Sequence, residues 1–203
     1  RERPAFVFIH TLEPHGPYVP PKEFAGKFSP VLPEGPIDFV QSITAAQIAS
    51  LKDRYDEEVL FADAQLGRFV DALRSEGYLA RSTLFLTADH GEACGEHGAQ
   101  AHGSVFFAEV HRIPLVAFGG QVESLGRQRV PAQLFDLGPT ILDRFQVPLP
   151  YSLAGQSLEP FLRKDGSGGE PEALGVLRSR AIYGSNHKWR VSGELREPPV
   201  HPP

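Results

Sequence analysis

The sequence predicts an α/β fold, and three observations carry that prediction. Residues 5–9, 83–87 and 113–118 are short runs rich in β-branched and aromatic side chains, with the length and composition of buried strands. Between the first two runs, residues 42–75 repeat apolar side chains at spacings of three and four, the period of a helix that buries one face. Polar, chemistry-bearing residues follow the strand runs at once, as they do at the carboxyl edge of open α/β sheets, where ligands bind.

Composition narrows the function classes. At 203 residues the chain is long enough for one domain with a real core, and its 41% hydrophobic and 22% charged fractions are those of a globular protein. A formal charge of -5 offers no basic field for nucleic acid, and no apolar run approaches the ~20 residues of a membrane-spanning helix, so neither a nucleic-acid partner nor a membrane segment is expected. The single Cys94 excludes an internal disulfide. Arg1-Glu2-Arg3-Pro4 runs straight into the first strand without an initiator Met or leader, which reads as the start of a fragment of a longer protein.

In chain order, Ala5-Phe6-Val7-Phe8-Ile9 reads as a central strand covered on both faces. His10-Thr11-Leu12-Glu13-Pro14-His15-Gly16-Pro17-Tyr18 follows as a proline-punctuated loop that holds His15, either as part of a site or as an incidental surface histidine. Residues 20–36 extend it as an irregular, proline-rich loop packed over the domain or lining an entrance. Ile48, Leu51, Tyr55, Val59, Ala62, Leu66, Phe69 and Leu73 form the stripe of the long helix, and Gly77 is its stop. Asp53, Asp56, Glu57, Glu58 and Asp63 fall mostly off the stripe and read as a solvated face rather than a metal cluster.

The third strand run, residues 113–118, is closed by Gly119-Gly120, and residues 133–145 read as a helix with Pro139 near its start. Residues 164–171 look like a flexible loop. Residues 181–183 and 188–191 flank Gly184-Ser185-Asn186 as a hairpin, and the tail from Pro198 is expected to fray.

The chemistry concentrates after the strand at 83–87. Asp89 and His90 place an oxygen and a nitrogen donor side by side, which suits a divalent cation, and Gly91 lets the backbone turn beside them. His102 is able to return to the same pocket across a loop containing Gly95 and Gly98. Asp-His-Gly is also a good turn sequence.

The ordered set of motifs resembles the sulfatase branch of the alkaline phosphatase superfamily, and specifically its carboxyl-terminal half. The resemblance rests on Phe8-Ile9-His10 through Pro14-His15-Gly16-Pro17-Tyr18, the long helix with Asp63 and Gly67, and Asp89-His90-Gly91-Glu92. It continues through Arg112-Ile113-Pro114-Leu115, Asp136-Leu137-Gly138-Pro139-Thr140 and Gly155-Gln156-Ser157-Leu158. It implies an alkaline-phosphatase-like mixed sheet between helices as a partial domain over residues 1–163, then a loop, hairpin and tail over 164–203.

It also implies that Asp89 and His90 ligate the metal, that His15 and His102 hydrogen-bond the transferred oxyanion, and that Lys188 contacts substrate. The metal implied is calcium first, with manganese or zinc as the softer alternatives. Glu92, Glu96 and His97 read as supporting or solvent-facing groups. The family's nucleophile, a Cys-x-Pro-x-Arg cysteine converted to formylglycine, has no counterpart here: Cys94 is followed by Gly95-Glu96 and reads as a small loop residue.

The expected function is therefore that of a metal-dependent sulfuric ester hydrolase whose formylglycine lies on a missing amino-terminal half. The resemblance implies bacterial kin and a periplasmic or extracellular, even membrane-anchored, setting. The alternatives are a phosphoethanolamine or phosphoglycerol transferase or phosphodiesterase of the same superfamily, acting on a phosphate ester, and an inactive anion-binding fragment.

Overall fold

The long helix α1 spans Ala45–Ser75 and sets the frame of the amino-terminal part of the molecule. The computed structural model describes residues 4–28, 45–98, 100–102, 107–122, 131–148, 153, 155–162, 182–185 and 188–191. These divide into two compact units, Arg1–Val122 and Glu123–Pro203.

In the first unit, α1 ends as its sequence predicts. Gly77 takes a φ of +73°, a left-handed conformation that glycine adopts without a side-chain penalty, while the Glu76 and Gly77 N–H groups bond back to the carbonyls of Ala72 and Arg74. The stripe is buried at Leu51, whereas Val59 and Phe69 stay exposed among the described residues. A 3-10 turn, Leu79–Arg81, leads into β1, Leu84–Thr87. The chain then forms β2, Ala93–Cys94, and β3, Gln100–Ala101, which pair antiparallel. A one-turn helix α2, Ala108–His111, precedes β4, Leu115–Phe118, which returns antiparallel to β1 with Leu84 opposite Phe118 and Thr87 opposite Leu115. β2 packs on α1 so closely that a Cβ on Gly95 would stand 2.3 Å from Ile48 Cγ2.

Two expectations are corrected here. Residues 5–9 do not form a strand: they carry no strand pairing, and Phe6, Val7, Phe8 and Ile9 are 59%, 71%, 78% and 58% exposed. An apolar run states that its surface must be covered, but it does not specify which segment covers it. The acidic residues of α1 are not uniformly solvated either. Glu57 and Glu58 are 0% and 6% exposed, and their carboxylates accept the N–H groups of Phe28 (3.0 Å) and Val19 (2.9 Å). Arg54, also buried, reaches the Tyr18 carbonyl at 3.5 Å. A proline-rich loop has few internal partners for its N–H groups, so a helix lying beneath it must supply acceptors.

In the second unit, a 3-10 turn, Leu134–Asp136, runs into α3, Leu137–Arg144, with Pro139 in its first turn, where a missing N–H costs least. Asp136 and Thr140 are buried and tie in the Gly155-Gln156-Ser157-Leu158 segment. The Asp136 carboxylate accepts from the N–H of Gln133 (2.7 Å) and Gln156 (3.0 Å), and the Thr140 hydroxyl accepts from Leu158 N–H (2.8 Å) while donating to the Asp136 carbonyl (2.6 Å). This part of the resemblance is a structural clasp. The expected hairpin is present as β5, Ile182–Ser185, and β6, Lys188–Val191. The loop at 164–171, residues 29–36 of the early loop and the tail lie outside the described residues.

Helices joined to strand pairs keep the chain in the α/β class. All three strand pairings among the described residues are antiparallel.

Candidate active site

β1 delivers the first two candidate residues. It ends at Thr87, and Asp89 and His90 stand just beyond it. Gly91 holds its place by close approach rather than by an unusual backbone angle: its N–H bonds to the Val110 carbonyl at 2.7 Å, and a Cβ there would fall 2.0 Å from the Glu109 carbonyl oxygen. Only glycine lets α2 lie against this turn.

Asp89 is 80% exposed along its side chain, with Oδ1 accepting the His90 N–H at 3.0 Å and Oδ2 lying 3.7 Å from His90 Nε2. Partial burial pushes its carboxyl up, but the nearby imidazole of His90, backbone N–H groups and His10 outweigh that, so its pKa falls below the ordinary value. His90 Nδ1 lies 2.9 Å from the Gly91 carbonyl oxygen. A carbonyl only accepts, so Nδ1 carries the proton and the neutral ring keeps its lone pair on Nε2. A carboxylate oxygen and an imidazole lone pair 3.7 Å apart fit two positions of one divalent cation's shell, and a carbonyl holding the other ring nitrogen is the usual support for such a ligand. Among the described residues no group of three or more His, Cys, Asp or Glu is placed to hold a metal ion, so these two are the donors that the described part of the chain offers.

His102 comes back to the same place. Ala101, in the left-handed region at φ +60°, turns the chain just before it, and the His102 ring stacks on His90 with centroids 3.8 Å apart and planes 26° from parallel. His15 lies edge-on to His102 with centroids 6.2 Å apart, and its Nδ1 is 2.7 Å from the Gly16 carbonyl oxygen. His102 Nδ1 lies 3.2 and 3.4 Å from the two oxygens of Glu92. Each of the three rings therefore has Nδ1 committed to an acceptor, which leaves Nε2 for a ligand or substrate. Three imidazoles and an exposed carboxylate suit an anionic group held against a cation.

Glu92 is more deeply involved than the sequence indicated. Its side chain is 10% exposed, and besides His102 it accepts the Tyr18 hydroxyl at 2.8 Å. Tyr18 is itself buried; burial, and then the bond to Glu92, push its phenol pKa well up, so it stays a donor. Its place in the His-Gly-Pro-Tyr run was the one available signal. His10, which helps to lower the Asp89 pKa, also carried no role in the sequence.

Glu96, His97 and Cys94 have other partners or lie buried apart from this group. Glu96 accepts the Cys94 N–H at 2.6 Å, and His97 meets Glu109 at 3.2 Å and stacks on Phe107. Cys94 is buried, and burial together with the carboxylates of Glu96 and Glu92 pushes its thiol up to about 11. A thiol so rarely ionised is no nucleophile at neutral pH. Lys188 opens β6 opposite Ser185, in the second unit.

With this geometry in place, comparison with known proteins is informative. A family model described as Sulfatase matches residues 1–147. Arylsulfatase K of Bos taurus is 32% identical over 142 residues, covering 66% of this chain and 26% of that protein. Arylsulfatase K of Homo sapiens is 30% identical over 142 residues with the same shares. The chain thus spans about a quarter (26%) of the length of the curated relatives it matches. Among solved structures, the phosphonate monoester hydrolase of Agrobacterium radiobacter aligns with a TM-score of 0.68 at 24% identity, over 85% of this chain and 40% of that one. A phosphonate monoester hydrolase from Silicibacter pomeroyi aligns at 0.58 with 28% identity, over 66% of this chain and 25% of that one. The α/β architecture expected from the sequence is borne out by these alignments.

Proposed function

The chain belongs to the sulfatase family, and from that premise we propose that it carries the metal-binding and oxyanion-binding side of a sulfuric ester hydrolase. Asp89 Oδ2 and His90 Nε2 would hold the divalent ion; the resemblance implies calcium first, whereas the imidazole donor leans toward manganese or zinc, and the ion when bound supplies charge stabilisation to the ester oxygens. When their rings take up a second proton, His15 and His102 donate Nε2–H to the oxygens of the group being transferred, and one of them passes that proton to the leaving oxygen. The observation that carries this reading is the grouping of His90, His102 and His15 with Nδ1 committed in every ring, beside a carboxylate 3.7 Å from His90 Nε2.

No Cys-x-Pro-x-Arg motif occurs in the 203 residues. We assign the formylglycine nucleophile, and further acidic metal ligands, to a segment outside them, in a protein that works beyond the cytoplasm. The sequence by itself is then a poor catalyst, since losing a nucleophile removes several powers of ten in rate. A phosphoryl-type chemistry is the second reading, favoured by the 28% identity to the Silicibacter pomeroyi phosphonate monoester hydrolase.

The test joins these 203 residues to a formylglycine-bearing amino-terminal segment and supplies an aryl sulfate and an aryl phosphonate monoester in parallel. Faster turnover of the sulfate supports the first reading, and the reverse supports the second. Metal-dependent sulfate binding without turnover of either ester would leave only an anion-binding domain. Clear aryl sulfate turnover by the 203 residues alone would overturn the assignment of the nucleophile elsewhere.

A further inference from the structure

Tyr18, Glu92 and His102 come from three separate segments and form one hydrogen-bonded line. The Tyr18 hydroxyl donates to Glu92 Oε2 at 2.8 Å, and His102 Nδ1 lies 3.2 Å from Oε1 and 3.4 Å from Oε2 of the same carboxylate. An ionised carboxylate only accepts, so it selects the His102 ring form with hydrogen on Nδ1. The line is anchored to α1. Arg54 donates to the Tyr18 carbonyl at 3.5 Å, Glu58 accepts the next residue's N–H at 2.9 Å, and the Tyr18 ring meets Tyr55 edge-on at 5.5 Å. Stacking on His90 fixes the plane of the His102 ring, but a stacked ring can still flip by half a turn about Cβ–Cγ, which exchanges Nδ1 with Cδ2; the bond to Glu92 selects one of the two orientations.

We propose that Glu92, held by Tyr18, is a positioning residue that keeps hydrogen on Nδ1 of His102 and thereby leaves Nε2 facing the ester, where it donates once the ring takes up a second proton. This rests on the sulfuric ester reading above for its consequence in catalysis, though not for its structural content. Glu92 touches no reacting atom. It acts through His102, as an acceptor behind a ligating or catalytic imidazole usually does, and loss of such a partner typically costs 10- to 100-fold in activity.

The test uses Glu92→Ala, Glu92→Asp and the double variant Tyr18→Phe/Glu92→Met. The double variant replaces the buried polar pair by apolar groups, so no Tyr18 hydroxyl is orphaned and the fold is expected to be retained even where Glu92→Ala loses it. The first readout is the 15N spectrum of the His102 imidazole in the 203-residue chain at about pH 9, where histidine rings are neutral. The wild type and Glu92→Asp are expected to keep hydrogen on Nδ1, while the other two variants move it largely to Nε2. The second readout is turnover by the nucleophile-bearing polypeptide. Here kcat is expected to fall 10- to 100-fold in the double variant with KM little changed, and Glu92→Asp is expected to recover part of the loss. Hydrogen that stays on Nδ1 in the double variant overturns the proposal whatever the activity. A shifted tautomer with unchanged kcat overturns its catalytic consequence. If no variant, wild type included, turns over a sulfate ester, the functional reading fails while the tautomer result still decides the role of Glu92.

Discussion

Gly91→Ala should destabilise the chain by about 2–4 kcal/mol, and the structure supplies the magnitude. The new methyl group would stand 2.0 Å from the Glu109 carbonyl oxygen and 3.0 Å from its carbon, against an ordinary contact near 3.4 Å. Both obstacles are backbone, so no side chain can swing away; the Asp89-His90-Gly91 turn and α2 must separate by more than an ångström. Overpacking of this kind costs typically ~1–3 kcal/mol. Separation also breaks the 2.7 Å bond from Gly91 N–H to the Val110 carbonyl, worth a further ~0.5–1.5 kcal/mol. The assay is urea unfolding of the wild type and variant with linear extrapolation. Gly67→Ala is the control: it lies inside α1 with nothing within 4 Å of the added methyl, so it should be neutral or stabilising by up to ~1 kcal/mol. Equal midpoints for Gly91→Ala and wild type would refute the claim that glycine is required here by the approach of α2.

Two further perturbations test the buried groups. Burial raises the Glu58 pKa above its value of 4.5, a shift opposed by the Val19 N–H and reinforced by Glu13. The native state therefore holds that proton to higher pH than the unfolded chain, so this group's stabilisation is full below about 4.5 and lost as pH rises through the raised value. Glu58→Gln keeps an acceptor for Val19 and removes the charge; its stability relative to wild type should increase between pH 4 and pH 7 in thermal melts, and a difference that stays flat or runs the other way contradicts the account. Cys94, pushed from 9.0 to about 11, should alkylate with iodoacetamide at pH 8 at least about 100-fold more slowly in the folded chain than in urea, and labelling at the denatured rate would show that the thiol is neither buried nor suppressed.

The long-range organisation of this protein was legible in the sequence to the extent that it is periodic or punctuated. The 3.6-residue stripe found α1, whose end at Ser75 is set by Gly77, and the apolar runs found β1 and β4. The same reasoning failed at residues 5–9, because hydrophobicity records a need for cover and not the covering partner. It failed at Glu57 and Glu58, because helical spacing points to one buried stripe and is blind to a loop laid over a second face. Around the candidate site, the abrupt start of polar chemistry after a strand singled out Asp89 and His90, and the family pattern added His15 and His102. Tyr18 escaped, and Glu92 was left between a supporting and a solvent-facing role, since a hydrogen bond between residues 74 positions apart leaves no local trace in the chain. Gly91 was noticed for the wrong physical reason: a tight turn suggests conformational freedom, whereas the requirement is space beside α2.

The central claim is a division of labour, with Asp89 and His90 on the metal and His102 on the oxyanion. The most direct measurement is metal content beside kcat for Asp89→Ala and His102→Ala in the polypeptide that also carries the nucleophile. Asp89→Ala should lose both the metal and turnover, because two donors shared with a few outside ligands leave little margin. His102→Ala should retain the metal while its rate falls by roughly 10²-fold or more, the usual cost of one oxyanion donor. Metal lost from His102→Ala as completely as from Asp89→Ala would contradict the account, and would make His102 a ligand.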